Sequence, residues 1–306
     1  MRSALLLHHT TARASALRID RAPAHLWLGL QTLALWPTWW WMARRWQDGS
    51  DDPVGLLALA ALGMLLWSVR GQWRYAPRWP WLAAALAGTL AATAWRGSGS
   101  PLLTSLLAMG AWACGLLAFL PDAQRCAMRA QDGVLLPAPR RTIAALPVLG
   151  LALLALPLIA SLQFYAGYPL RVLTAEASRW LLGAWFAVQR EGSSLWVNGQ
   201  LIVVDAPCSG VQMAWAGYFS ACAVALWAGR SGRAFALRLP LVSAAVLMGN
   251  VLRNSVLVAL AASGDEASSA LHQAVGLVAL GAVVSAIGWA MARAESRPLA
   301  QKGHPA

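Results

Sequence analysis

The sequence predicts an all-α membrane protein, a polytopic transmembrane helical bundle of about eight spans. Of its 306 residues, 58% are hydrophobic and only 12% are charged, whereas a soluble domain carries about 25% charged residues. The apolar residues fall in repeated runs of about 16–22, the length that a helix needs to cross a bilayer. Eighteen tryptophans, many near the ends of these runs, predict contact with membrane lipids, since amphipathic rings favour the interface.

Eight apolar segments account for the predicted spans. In chain order they cover 26–43, 54–69, 81–95, 101–120, 143–164, 211–229, 239–261 and 270–291. The second and third are short, and a re-entrant pair in their place would leave the later topology unchanged. We divide the chain into an N-terminal tail (1–25), an N-terminal membrane region of about four spans (26–142), a second membrane region (143–292) and a C-terminal tail (293–306).

Lysine and arginine are distributed unevenly between alternate loops, which predicts the orientation of the bundle. The loops and tails of one side carry seventeen of these residues and those of the other side carry six, with Arg253 left inside a span. Because basic loops stay in the cytoplasm, both termini are predicted to be cytoplasmic and segment 165–207 to face outward. The same asymmetry accounts for the net charge of +12, so no nucleic-acid partner is predicted.

The outward segment 165–207 is expected to contain a short helix and a β-hairpin. Residues 168–188 have helical periodicity with one broad apolar face, which is typical of a helix lying along the membrane surface. Two β-prone runs then flank the Asn-Gly pair at 198–199, the strongest short-range signal for a hairpin. Pro207 is well placed to start a helix, so Cys208 is predicted near the outer N-terminus of the sixth span.

Three reactive residues are predicted to meet at the outer end of the bundle. Cys208 and His272 each begin a helix that runs inward, and Arg253 lies on the helix between them, roughly 12–15 Å below its outer end. A thiol at a helix N-terminus or beside a cation is readily ionised and acts as a nucleophile. His272 is suited to transfer the proton, and Arg253 to neutralise an oxyanion or to bind a substrate carboxylate or carbonyl.

The residue types alone leave other interpretations open. A lone cysteine in an apolar segment is usually a small core residue, the interpretation that we adopt for Cys114 and Cys222. Arg253 has an alternative structural role, in which it pairs with Asn250, Asn254 or a backbone carbonyl. The spacing of the four cysteines matches neither a disulfide framework nor a zinc site, and the histidines outside the site have no ligand-like partners, so no metal or cofactor is predicted.

The chain resembles the exosortase/archaeosortase family in three ordered motifs: P-C-S-G-V at 207–211, N-V-L-R at 250–253, and His272 followed by Gly276. These are membrane cysteine enzymes with a Cys, Arg and His active site, and the match covers roughly 143–290. The resemblance implies that Cys208 is the nucleophile, Arg253 the stabiliser and His272 the acid and base. Ser209, Gly210, Asn250 and Asn254 are expected to support the site or bind the substrate. Two positions depart from the pattern, because many members carry Arg at Gln212 and an acidic residue at Gln273.

The resemblance implies a cysteine protease or transpeptidase of the bacterial cytoplasmic membrane, with its active site facing the periplasm or exterior. Its partners would be exported proteins with a C-terminal sorting tail: a Pro-Glu-Pro-like motif, a transmembrane helix and a basic end. A thioester acyl-enzyme would form and then pass to water or to a lipid or exopolysaccharide acceptor.

Two other function classes fit the residues. A non-catalytic transporter or scaffold would bind an anionic substrate through Arg253, and would tolerate Cys208→Ser but not Arg253→Ala. A thiol acyltransferase acting on lipid or polysaccharide would use a lipid or glycan acyl donor, and it would not require a peptide tail.

Overall fold

The computed structural model describes residues 23–49, 51–125, 129–131, 134–136, 140–203, 209–263 and 269–293, with the backbone alone over 124–141. Cys208 lies outside these ranges, as does most of each predicted tail. In the described residues the chain forms ten helices. They are α1 Ala24–Ala34, α2 Trp36–Gln47, α3 Gly55–Ser68, α4 Trp79–Ala94, α5 Pro101–Phe119, α6 Ala145–Leu154, α7 Ile159–Leu182, α8 Val211–Trp227, α9 Gly232–Ala262 and α10 Ser269–Ala292.

Each apolar segment of the sequence is largely helical, and the chain is a membrane protein, but the count of eight spans is not confirmed. Among the described helices, three are long and apolar enough to cross a membrane alone, namely α5, α9 and α10, and the bent pair α6 and α7 makes a fourth candidate. α3 and α8 are apolar but have 14 and 17 residues. At about 1.5 Å per residue they are shorter than the roughly 30 Å of hydrocarbon that a single span crosses.

Two of the predicted spans are interrupted by proline. The first divides at Leu35, between α1 and α2, and Pro37 lies in the first turn of α2. The fifth stops at the end of α6, and the chain turns by 95° before α7 begins. Pro157 lies in this second break, and proline both lacks an N–H donor and disfavours helical backbone in the residue before it.

The helix expected over 168–188 is the C-terminal part of α7, and it packs beside α9 rather than lying apart from the bundle. The amide nitrogen of Asn250 donates to Thr174 Oγ1 at 3.0 Å, and that of Asn254 donates to Ser178 Oγ at 2.9 Å. All four residues are buried. Because the bonded positions are one turn apart on both helices, α7 and α9 run in the same direction at this contact.

Seven short strands accompany the helices in the described residues, and two of them form the hairpin expected around residues 198–199. Four short ones pair within the basic loop after α5, β1 with β4 and β2 with β3: β1 Ala123–Arg125, β2 Arg129–Gln131, β3 Val134–Leu136 and β4 Arg140–Thr142. The other three form one antiparallel sheet in the order β5 Val188–Glu191, β6 Ser194–Val197 and β7 Gln200–Val203.

The turn between β6 and β7 is the Asn-Gly pair that the sequence singles out. Asn198 and Gly199 have φ angles of 50° and 84°, and two consecutive positive φ angles are the requirement of a type I′ hairpin. The inner face of the sheet is buried through Leu195 and Val197, which share a small core with Leu257 near the end of α9. The sheet therefore covers the ends of α7 and α9 and leads the chain toward α8.

Loops that the charge count places on the cytoplasmic side contact one another. Arg78 forms an ion pair with Asp122 at 2.8 Å, and Thr142 Oγ1 donates to the carbonyl of Gly229. Arg230 Nε donates to a carbonyl in the last turn of α10 at 2.7 Å. The loops of this side thus lie together at one end of the bundle, as an alternating topology requires. Which end faces the cytoplasm stays a prediction.

Candidate active site

Arg253 and His272 line the same cleft, at the end of the bundle opposite those basic loops. The cleft has a volume of about 450 Å³, which lies in the range of pockets for small molecules or short peptide segments. It is bordered by α8, α9 and α10 and lined by Gly210, Gln212, Met213, Arg253, His272, Gln273, Gly276, Leu277 and Leu280. The lining contains both polar and apolar side chains, so the cleft can contact polar and apolar parts of a substrate.

The guanidinium of Arg253 lies against the backbone of Gly276 on α10. A Cβ on Gly276 would be 3.3 Å from Arg253 Nε, which is tight, and 3.6 Å from Cζ, which is an ordinary van der Waals distance. Glycine at this position therefore makes room for the guanidinium between α9 and α10. This contact is the physical reason for a glycine one turn after His272, the spacing noted in the sequence.

His272 stands in the first turn of α10 and is half-buried. The next residue, Gln273, is exposed and lines the cleft as well. Across the cleft, Gln212 lies in the first turn of α8. The two positions at which this sequence departs from the family pattern therefore belong to the cleft, and each contributes an uncharged amide.

The first residue before α8, Gly210, is held in a conformation that only glycine adopts easily. Its φ angle is 82°, in the left-handed region. A Cβ there would lie 2.8 Å from Cγ of Asn250, whose amide nitrogen in turn donates to Thr174 on α7. Gly210 thus lets the start of α8 pack directly on α9, and Asn250 supports this packing.

Ser209 is buried and ties the start of α8 to α7. Its Oγ donates to Oε1 of Gln163 at 2.7 Å and accepts from the backbone N–H of Val211 at 3.4 Å. The second bond satisfies one of the free N–H groups at a helix start. Cys208 directly precedes Ser209 in the sequence, so the predicted nucleophile adjoins a residue fixed to two helices.

The loop before α3 also belongs to this region, although no sequence pattern marks it. Gln212 Nε2 donates to Oδ2 of Asp52 at 3.3 Å, and both carboxylate oxygens of Asp51 accept from the N–H of Ala160, also at 3.3 Å. Ala160 lies in the first turn of α7, where helix N–H groups lack intrahelical partners. Nothing local marks these aspartates, because their partners lie more than one hundred residues away.

Asp51 is the buried member of this pair, and Arg45 lies 3.6 Å from its carboxylate. Burial raises the pKa of Asp51, although the hydrogen bond from Ala160 and the charge of Arg45 act in the opposite direction. The carboxylate thus caps α7 from a distant loop and interacts favourably with the helix dipole.

Within the described ranges, no three His, Cys, Asp or Glu side chains are placed to hold a metal ion. Cys222 is buried on α8, and its sulfur lies against Gly150 of α6, which fits a core residue.

In a comparison with known protein families, the model described as transmembrane exosortase matches residues 46–290. The match extends beyond the C-terminal half that carries the three motifs, and it includes the loop with Asp51 and Asp52. No curated protein and no solved structure matches the chain significantly.

Proposed function

The chain belongs to the transmembrane exosortase family, and from this premise we propose that it is a membrane-embedded cysteine protease or transpeptidase. Its substrates are exported proteins with a C-terminal sorting tail, made of a Pro-Glu-Pro-like motif, a transmembrane helix and a basic end. One observation carries the proposal: Arg253 and His272 line a single cleft at the start of α8, and Cys208 comes two residues before Gly210 in that lining.

The reaction divides into two acyl transfers. His272 takes the proton of the Cys208 thiol, and the thiolate attacks a peptide carbonyl of the tail. Arg253 donates hydrogen bonds to the oxyanion of the tetrahedral intermediate, an interaction that is strong where water is excluded. His272 then protonates the leaving amine, and the severed tail departs. Water or an acceptor nucleophile attacks the thioester and releases the new C-terminus together with the thiol.

The shape of the cleft suits a substrate that is itself anchored in the membrane. Its polar lining consists of Arg253, His272 and the two amides, and its apolar lining includes Met213, Leu277 and Leu280. A tail whose peptide bond lies just outside a transmembrane helix presents this combination of polar and apolar surface. In this proposal the protein lies in the bacterial cytoplasmic membrane, with both termini in the cytoplasm and the cleft facing the periplasm or exterior.

A client-processing assay tests the proposal. The chain is co-expressed with a tagged protein that ends in a sorting tail, and loss of the tail is followed by mass spectrometry. We expect Cys208→Ala to abolish processing and Cys222→Ala, which removes the other cysteine near α8, to preserve it. A thioester-linked intermediate sensitive to hydroxylamine should form with the wild type. If Cys208→Ala processes clients like the wild type, the proposal is wrong.

A further inference from the structure

The segment from Ser209 to Gln212 is held from outside the cleft at both of its ends. Oε1 of Gln163 on α7 accepts a hydrogen bond from the hydroxyl of Ser209, a residue whose exposed fraction is only 2%. Asp52, in the loop before α3, accepts from the side-chain amide of Gln212. The chain between these two anchors contains Gly210 and the first residue of α8, so little freedom is left at the point where α8 begins.

The two anchors belong to one structural unit. Asp51 binds the N–H of Ala160, which lies about one turn before Gln163 on α7. Close to it, a Cβ on Gly55 would collide with the carbonyl oxygen of Ala155, so α3 begins in direct contact with the α6–α7 break. The loop before α3 therefore fixes the start of α7 and also reaches the cleft itself.

We propose that Gln163 and Asp52 are positioning residues for Cys208, acting through Ser209 and Gln212. The inference rests on the proposed function, and it assigns a catalytic purpose to two contacts, of which that between Asp52 and Gln212 crosses between the two membrane regions. Neither residue touches the substrate in this proposal. Each holds one end of the segment that follows the nucleophile.

The expected effect is on geometry and on ionisation of the thiol. A displacement of about 1 Å between reacting groups costs as much as a hundredfold in rate. A thiol that moves away from a helix N-terminus and from nearby cations also becomes harder to ionise. Loss of either anchor should therefore slow tail processing and raise the pH at which Cys208 becomes reactive.

The experiment compares the wild-type chain with two variants. Gln163→Met keeps the side-chain length but removes the oxygen that accepts the bond from Ser209. Gln189→Met is the matched control, at an exposed position of strand β5. Modification of Cys208 by iodoacetamide is measured from pH 5 to 10 by peptide mass spectrometry. We expect Gln163→Met to shift the reactivity midpoint upward and to slow processing by about tenfold or more, and Gln189→Met to change neither.

Two further comparisons separate positioning from a general loss of structure. Asp52→Asn keeps an acceptor for Gln212 and should preserve the midpoint better than Asp52→Ala, which removes it. In a Ser209→Ala background, Gln163→Met should have a smaller effect on the midpoint than in the wild type, because the bond between the two side chains is already absent.

The inference is overturned if Gln163→Met and Asp52→Ala leave both the midpoint and the modification rate unchanged, or if Gln163→Met and Ser209→Ala have additive effects. Because labelling of Cys208 needs no client, this outcome is distinct from failure of the proposed function, which would appear as equal client processing by the wild type and Cys208→Ala.

Discussion

At the residue scale, close contacts explain why two positions of the motifs around the cleft, 210 and 276, are occupied by glycine. Gly210 needs a positive φ angle and contacts Asn250, and Gly276 contacts the guanidinium of Arg253. In each case the missing Cβ lets a polar side chain of α9 approach a neighbouring backbone. The glycines of the motifs therefore have a packing role beside Arg253 and Asn250, in addition to the chemical role of the neighbouring residues.

Replacement of Gly276 by alanine tests this account. The added Cβ would lie 3.3 Å from Arg253 Nε, and the guanidinium would have to move by a few tenths of an ångström, so processing should fall severalfold. The helix itself should not suffer, because alanine favours a helix over glycine by about 1 kcal/mol. The assay compares client processing at equal levels of membrane-inserted protein.

Gly281→Ala provides the control, since a Cβ at that position of the same helix meets nothing within 4 Å. It should process clients at the wild-type rate. Equal loss in both variants would show that alanine disturbs α10 as a whole and that the contact with Arg253 is not the cause.

The shared cleft of Arg253 and His272 could be predicted from the sequence, whereas the anchors of the segment after Cys208 could not. The shared cleft follows from counting the spans and placing each residue along its helix, for which the pattern of apolar segments is sufficient. No local pattern marks Gln163 and Asp52, because their partners Ser209 and Gln212 lie 46 and 160 residues further along the chain.

At the scale of elements, the contact between α7 and α9 depends on a ladder of two polar bonds. Asn250 binds Thr174 and Asn254 binds Ser178, in both cases between buried side chains. Where two helices pack without a hydrophobic driving force between them, interhelical hydrogen bonds contribute about 0.6 kcal/mol on average. The ladder therefore sets the register of α7 beside Arg253 more than it adds stability.

A double-mutant cycle on Asn254 and Ser178 measures this bond. Each alanine variant should lower the free energy of unfolding, and the pair should show a coupling of roughly 0.6–1.7 kcal/mol, followed by thermal unfolding in detergent. The cycle contains its own control, because the effect of Ser178→Ala should nearly vanish once Asn254 is absent. Additive effects would contradict a direct interaction.

Elements whose conformation depends on neighbouring residues in the sequence could be predicted, whereas elements that depend on distant contacts could not. The Asn-Gly turn requires two particular φ angles, and the hairpin of β6 and β7 forms around it as expected. The third strand, β5, and the burial of one face of α7 depend on contacts with α9 and with the sheet. Amphipathicity gives the same pattern for a helix on a membrane surface and for one that packs on a bundle, so the orientation of α7 could not be predicted.

At the scale of the whole molecule, the loop before α3 joins the N-terminal membrane region to the region with the cleft. Burial raises the pKa of Asp51 above its ordinary value of 3.8. A carboxyl whose pKa is raised by folding contributes most to stability below its unfolded pKa, and that contribution is lost as the pH rises through the folded value. Folding therefore favours the protonated form of Asp51 over its carboxylate.

Asp51→Asn should remove this pH dependence. Between pH 4 and pH 7, the stability of the variant relative to the wild type should increase with pH, because only the wild type must bury a charge. Detergent unfolding at fixed ionic strength measures the difference. A relative stability that falls with pH would mean that the ion pair with Arg45 outweighs burial.

The orientation of the bundle in the membrane is the last prediction at this scale. It can be tested by labelling several loops in parallel. Single cysteines are introduced into a chain whose four native cysteines are replaced by alanine, and intact spheroplasts are treated with a membrane-impermeant thiol reagent. Ser98→Cys and Ser263→Cys should label from outside, whereas Thr142→Cys and Ser231→Cys should label only after lysis, because loop charge places the first pair outside and the second in the cytoplasm. The opposite result would put the cleft on the cytoplasmic side, where exported tails are no longer within reach. Mixed labelling within either pair would instead contradict the alternation of the helices themselves.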